Sequence, residues 1–301
     1  MRKLDEVVKK VQQISTMKLA VAAAQDIEVL EAVFDAKKQG IVEPILVGDI
    51  EKVKEIADSL GESLENIKLI EEKDLSEAAK IAVSLVSQGK ADFVMKGILD
   101  TSILLKAVLD KEHGLRTDSL LSHLMVYEVP TYHKLLFLTD GGMNINPTLD
   151  EKAKILKNSI QGAKALGLDT VRVACLAAKE KVSEKMIATV DAAALQEKGQ
   201  NGDFGEGVIV EGPLAFDLAV SKEAAQIKNF RSEVSGEVDV ILVPNIEVGN
   251  GVGKSLTYMA NAKSAGIIMG AKAPVVLVSR ADDAQSKLYS IALGALIANY
   301  K

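Results

Sequence analysis

The chain has 301 residues and a mass of 32.1 kDa, enough for one large or two medium domains with a sizeable core. Hydrophobic residues make up 48% and charged residues 26%, an ordinary globular balance that excludes wholesale disorder. The net charge of -6 excludes a broad nucleic-acid-binding face and leaves room for a local basic pocket.

The first residues, Met1 to Ile14, carry charges throughout and lack the apolar stretch of a signal peptide. No apolar run approaches membrane-spanning length, so a soluble, cytoplasmic protein is expected, with neither membrane nor nucleic acid as partner. Apolar runs at 18–24 and 43–49 read as strands. Between them lies an amphipathic helix with Ile27, Leu30, Val33 and Phe34 on one face, stopped by Gly40. Further strands are expected near 67 and at 91–97, 123–129, 134–140, 171–177, 207–213, 238–244 and 273–279. Helical segments fill most gaps. One runs over 148–167, entered through Pro147-Thr148 and ended by Gly167.

Several of these strands are continuously apolar, as required when helices cover both faces of a sheet. The repeated strand–helix units predict a mostly parallel α/β architecture. The short Pro130-Thr-Tyr-His133 link marks 123–140 as an antiparallel pair. In open parallel sheets ligands gather outside the carboxyl ends of strands, and the chemically interesting residues do follow strands.

Lys96 and Gly97 end one strand, with Asp100, Thr101 and Ser102 next and Lys106 one turn on. The hydroxyls either cap a helix or bind an oxyanion, and a lysine ending an apolar strand must reach water or an anion. Asp140, Asn144 and Asn146 share a loop with Gly141 and Gly142, suited either to close approach of a ligand or to turn formation. Glu211-Gly212-Pro213 with Phe216-Asp217, and Pro244-Asn245 with Gly249-Asn250, follow two more strands. Ser279-Arg280 follows the last, with Asp282 and Asp283 opening the final helix. Arg280 has two readings: a bidentate oxyanion partner beside a helix N-terminus, or an ion-pair partner of Asp282 or Asp283.

The stretch Gly249-Asn-Gly-Val-Gly-Lys-Ser255 imitates a P-loop. A P-loop would place its first glycine at 248, which is Val248, and a dinucleotide fingerprint would need glycine where Lys254 stands. The segment is expected to be a loop into a helix N-terminus able to meet an anion, or a plain glycine turn. His113, His123 and His133 have no metal-pair spacing and read as structural. The single cysteine, Cys175, lies in an apolar run and reads as a core residue. With no nucleophile elbow and no metal cluster, the strand ends favour transfer chemistry on a phosphorylated ligand, or binding of one.

The stretches at Met95–Thr117, Leu138–Pro147, Glu211–Ala219, Val238–Asn250 and Ala273–Asp282 resemble the phosphate acetyl/butyryltransferase family, most closely its butyryl branch. The likeness runs in order from about Val21 to the C-terminus. It implies two α/β domains around a cleft that holds the active site, similar to isocitrate and isopropylmalate dehydrogenases. The first domain would be 1–118 with 273–301 and the second 119–272. It implies reversible transfer of a butyryl or branched C4–C5 acyl group between CoA and phosphate, with CoA as substrate, no cofactor and no metal. It also implies a homo-oligomer built on dimers.

In that resemblance Ser279 and Arg280 match the acyl-phosphate site, and Thr101 and Ser102 a hydroxyl pair. Asn245, Gly249 and Asn250 match the cleft loop. Lys96, Gly97, Asp140 and Asn144 join them as substrate-binding candidates. Three positions depart from the acetyl branch. Its acid, a suggested base for the CoA thiol, is replaced by Ser286, its arginine by Lys106, and a cleft-loop cysteine by Gly141. Asp283 could replace the missing acid, or the substrate phosphate could take the thiol proton. Other activities compatible with these residues are phosphate acetyl transfer, an NAD-dependent oxidoreductase of the same fold, and a non-catalytic CoA or acyl-phosphate binder.

Overall fold

A computed structural model describes residues 1–278 and 283–300. The chain divides into two compact units, a terminal unit of Leu4–Ser119 with Ala265–Lys301 and a central unit of Met1–Lys3 with Leu120–Ser264.

The terminal unit begins with α1 (Leu4–Val11), β1 (Met17–Ala22), α2 (Ile27–Lys38), β2 (Val42–Gly48), α3 (Ile50–Leu60) and β3 (Lys68–Glu71). It continues with α4 (Leu75–Ser87), β4 (Phe93–Lys96) and α5 (Thr101–Val108). Its strand order is β3-β2-β1-β4, followed by two strands that return late in the chain, β11 (Val275–Val276) and β10 (Lys263–Met269). The pairs are parallel except β10 with β11. Leu19 to Ala22 are fully buried because helices cover the sheet, which explains their unbroken apolar run. The last helix, α11 (Ala284–Asn299), packs on α2 and α1, and its Tyr289 hydroxyl donates to Asp5 Oδ1 at 2.6 Å.

The central unit holds β5 (Ser122–Glu128), β6 (Leu136–Thr139), α6 (Leu149–Ala165), β7 (Val171–Leu176) and α7 (Ile187–Gln200). Then come β8 (Val208–Leu214), α8 (Phe216–Val220), α9 (Lys222–Ile227), β9 (Val240–Leu242) and α10 (Ile246–Tyr258). The order is β5-β6-β9-β7-β8, parallel except for the β5–β6 pair. The helix expected from Thr148 is α6, opened by a capping box in which Thr148 and Glu151 satisfy each other's backbone donors.

Three local expectations are corrected. Ile27 is 51% exposed while Leu30, Val33 and Phe34 are buried, because it is the first residue of α2, before the helix has settled onto the sheet. The strand β10 lies in a glycine-containing stretch where none was expected. The 249–255 stretch is no loop: it lies inside α10, whose N-cap is Asn245, accepting from Val248 N at 3.1 Å.

Candidate functional site

In the terminal unit β1 has β2 on one side and β4 on the other, so the chain reverses its winding there, the place where open α/β sheets hold ligands at their strand carboxyl ends. The turn after β4 lies directly on the end of β1. Gly97 N donates to Ala22 O at 2.8 Å and Ile98 N to Ala23 O at 2.9 Å. A Cβ on Gly97 would stand 2.0 Å from Ala23 O, so only glycine allows the contact. Lys96 is buried and its Nζ donates to Gly97 O and Leu99 O, both at 3.1 Å. The sequence offered water or an anion as its partner; these two bonds use the ammonium to hold the turn's shape.

Helix α5 starts at Thr101, and its N-cap Asp100 makes no side-chain capping bond. The first-turn amides of a helix have no intrahelical acceptor, so the start of α5 is an electropositive edge. Thr101 is half-buried there and Ser102 exposed. One turn on, Lys106 and Ser102 line a groove of about 320 Å³ with Ser76 and Lys80 of α4. Lys80 pairs with Glu77 at 2.5 Å, and that hydrogen bond is the main cause raising the Lys80 pKa.

The strand beside β4 is β11, which leads to α11. Asp283 is the N-cap of α11, its Oδ1 accepting from Ser286 N at 2.8 Å. One oxygen of this candidate base is thus committed to the helix. Ser286 is half-buried and its carbonyl accepts from Ser290 Oγ at 2.8 Å. Ser279 and Arg280 lie outside the described residues. The sequence singled out no role for Lys287, which is 2% exposed and donates to Glu28 Oε2 on α2 at 2.7 Å. Its signal was present: a lysine early in a helix that is otherwise apolar on most sides.

In the central unit Asp140 turns inward and is 2% exposed. Its Oδ1 accepts from Gly142 N and Met143 N, both at 2.9 Å. Its Oδ2 accepts from His123 N at 3.0 Å and Asn144 Nδ2 at 2.6 Å. Asn144 Nδ2 also donates to Leu121 O at 2.9 Å. Asp140 therefore organises its own loop, the turn-forming reading of the sequence. That loop meets α10: Ile246 N donates to Ile145 O at 3.0 Å, and Gly141 touches Gly249. Asn245, Gly249 and Asn250 are thereby brought to the Asp140–Asn144 loop, with Asn250 exposed.

Cys175 is buried, and loss of hydration pushes its thiol up to about 12, which removes it as a nucleophile. Among the described residues no group of three or more His, Cys, Asp or Glu is placed to hold a metal ion. No helix among them is long and apolar enough to cross a membrane.

Fold and site together define an α/β protein that gathers hydroxyls, lysines and helix starts at the carboxyl ends of parallel strands, an arrangement suited to anionic, phosphate-bearing ligands. The family described as "Phosphate acetyl/butaryl transferase" matches residues 71–295. A phosphate butyryltransferase of Clostridium acetobutylicum is 46% identical over 300 residues, covering 100% of this chain and 99% of its own length. The crystal structure of a branched-chain phosphotransacylase from Enterococcus faecalis superposes with a TM-score of 0.85 at 33% identity, over 95% of this chain and 100% of that one. A 4-hydroxythreonine-4-phosphate dehydrogenase from Klebsiella pneumoniae shares the fold alone, with a TM-score of 0.56 and 14% identity, over 94% of this chain and 100% of that one. The chain belongs to the phosphate acetyl/butyryl transferase family.

Proposed function

We propose that the protein transfers a short acyl group, butyryl or a branched C4–C5 chain, reversibly between CoA and inorganic phosphate. The C–S bond of the thioester breaks, a C–O bond to phosphate forms, and the CoA sulfur leaves as thiolate and takes a proton. The observation that carries this reading is the β4–α5 segment. It presents an N-terminus without a side-chain cap and two hydroxyls, and its Lys106 shares a groove with Lys80 of α4 and with Asp110.

In this reading Thr101 and Ser102, with the first amides of α5, hold a phosphate oxygen. Lys106 attracts a CoA phosphate across the groove; an ammonium does so as a point charge and not as a planar fork. Ser279 and Arg280 grip the attacking phosphate and the oxygen on which negative charge grows. Donors fixed beforehand around that oxygen supply the largest share of the rate, and holding both substrates together supplies much of the rest. Asp283, through the carboxylate oxygen not engaged in capping α11, or the phosphate itself, takes the thiol proton; Ser286 stands where the acetyl branch has its acid. Lys96 and Gly97 keep the β4–α5 turn in shape. Asp140 and Asn144 do the same for the loop against which Asn245, Gly249 and Asn250 are set.

The dehydrogenase-like two-domain form, a homo-oligomer built on dimers and a cytoplasmic location belong to the same proposal, on the family resemblance. The test is phosphate-dependent release of CoA from butyryl-CoA, followed with a thiol reagent. Release without phosphate, or CoA binding with no turnover, would replace this reading by a hydrolase or a simple binder.

A further inference from the structure

Helix α10 leaves one long side uncovered. Gly249 and Gly253 face inward, against Gly141 and Tyr127. On the outer side Glu247, Gly251, Lys254, Ser255 and Tyr258 are all exposed, at the three- and four-residue spacings of one helix face. That face ends in Tyr258, 70% exposed, followed by Met259, 86% exposed. Beside it Phe216 of α8, with Val248, Val252 and Met259, lines a groove of about 530 Å³. At the start of the helix lies Ile145, 65% exposed, whose carbonyl accepts from Ile246 N at 3.0 Å. Large apolar side chains gathered on one exposed, polar-rimmed face mark an interaction surface.

The charges on this face indicate what covers it. Glu247 and Lys254 lie seven residues apart, about 10 Å along the axis. Both are exposed, and neither has an ion-pair partner among the described residues; the Lys254 ammonium rests 5.7 Å from the centre of the Tyr258 ring. A surface of one charge sign would want the opposite sign across the whole face, and this face carries both. Negative charge toward one end and positive toward the other makes the face complementary to itself when a second copy lies antiparallel. Glu247 of each copy then meets Lys254 of the other, about a two-fold axis between Asn250 and Gly251. The same arrangement brings the Tyr258–Met259 end of one helix to the Ile145 end of the other, apolar against apolar. Gly251 and Ser255, both small, let the two axes approach to about 8–10 Å, the distance at which helices pack.

We propose that α10 is the surface through which two copies of this chain associate, antiparallel, with Glu247 paired to Lys254 across the two-fold axis. Association there also steadies the Asp140–Asn144 loop, because the second copy's helix end covers Ile145, the next residue. The inference rests on the dimer of the proposed function and gives that dimer its surface; it does not depend on the chemistry of transfer.

Sedimentation of the full chain measures the dimer Kd for the wild type, Glu247→Lys, Lys254→Glu, the Glu247→Lys/Lys254→Glu double variant, Met259→Asp and Ile27→Asp, with Tm taken on each. The wild type should be a dimer at micromolar concentration. Each single reversal sets like charges against each other twice and should raise Kd on the order of tenfold or more. The double variant restores both pairs and should return Kd to within about threefold of the wild type. A mixture of Glu247→Lys with Lys254→Glu should associate more tightly than either alone, since only the mixed dimer sets opposite charges together at both contacts. Met259→Asp should raise Kd on the order of a hundredfold. Ile27→Asp, exposed on the terminal unit, should leave it unchanged. A wild-type monomer would overturn the proposal and the dimer with it. A wild-type dimer indifferent to the reversals, reversals that do not rescue each other, or equal weakening by Ile27→Asp would overturn the α10 surface alone. If Met259→Asp does not fold, the exposed charge reversals decide. Phosphate-dependent CoA release tests the transferase reading separately, and its failure would leave the Kd comparison standing.

Discussion

Gly141 and Gly249 meet backbone to backbone: a Cβ on Gly249 would lie 2.6 Å from Gly141 Cα, and one on Gly141 would lie 2.7 Å from Gly249 C. The contact presses the Asp140–Asn144 loop onto the first turn of α10, beside the Asn245 cap. It also explains why a helix begins with a residue of poor helical propensity in its fourth position.

Gly249→Ala should therefore destabilise the protein by about 1–3 kcal/mol, since backbone atoms on both sides must move. Gly251, two residues on, is exposed, and a Cβ there meets nothing within 4 Å. Gly251→Ala should stabilise α10 by roughly 0.5–1 kcal/mol. Thermal melts of the two variants should shift in opposite directions; equal shifts would refute the packing account.

Asp283 has two separable duties, capping α11 and accepting a proton. Asn caps as well as Asp does, so Asp283→Asn should keep Tm near wild type. If Asp283 is the thiol base, the same variant should lose kcat on the order of 10²-fold or more, the usual scale of general base catalysis. Asp283→Ala should add a loss of about 1 kcal/mol in stability. Full activity in Asp283→Asn would leave the phosphate as the proton acceptor, and Ser286→Ala belongs in the same series.

Arg280→Ala should lose on the order of 10²–10³ in kcat, the scale of one oxyanion donor. Arg280→Lys should recover part of it, because an ammonium lacks the planar two-bond geometry. Retained kcat with a lowered Tm would make Arg280 a structural partner of the neighbouring aspartates.

Acyl preference should be graded. Each methylene is worth about 1–3 kcal/mol in an apolar pocket, so butyryl-, isobutyryl- and isovaleryl-CoA should exceed acetyl-CoA in kcat/KM. An acetyl-CoA optimum in a five-member panel including propionyl-CoA would reverse the assignment of branch.

Cys175 should resist alkylation in the folded protein, because burial holds its thiol protonated up to about pH 12. Its folded pKa lies above the ordinary thiol value of 9.0, so its contribution to stability is complete below about pH 9 and shrinks as pH rises toward 12. Rapid labelling by iodoacetamide at pH 8 without denaturant would contradict the buried position.

The alternation of strands and helices was legible because it is written in local apolar periodicity, which needs no knowledge of neighbours. The Leu19–Ala22 strand and the helix entered at Thr148 are readable from such local pattern, and so is the placement of polar residues just after strands. What those residues touch within the protein was decided by how the backbone folds around them. The sequence could not show that the Lys96 ammonium donates to the turn carbonyls of Gly97 and Leu99. Nor could it show that His123 N, from a neighbouring strand, donates to Asp140 Oδ2. The glycines at 249, 251 and 253 read as a loop because isolated glycine disfavours helix, yet α10 runs through all three. Tertiary packing outweighs that local cost of about 1 kcal/mol per glycine, since Gly249 and Gly253 stand where any side chain would strike Gly141 or Tyr127. A sequence reports which face of a segment is apolar; only the folded chain sets which backbones approach closely enough to forbid a Cβ and which buried charges find a partner.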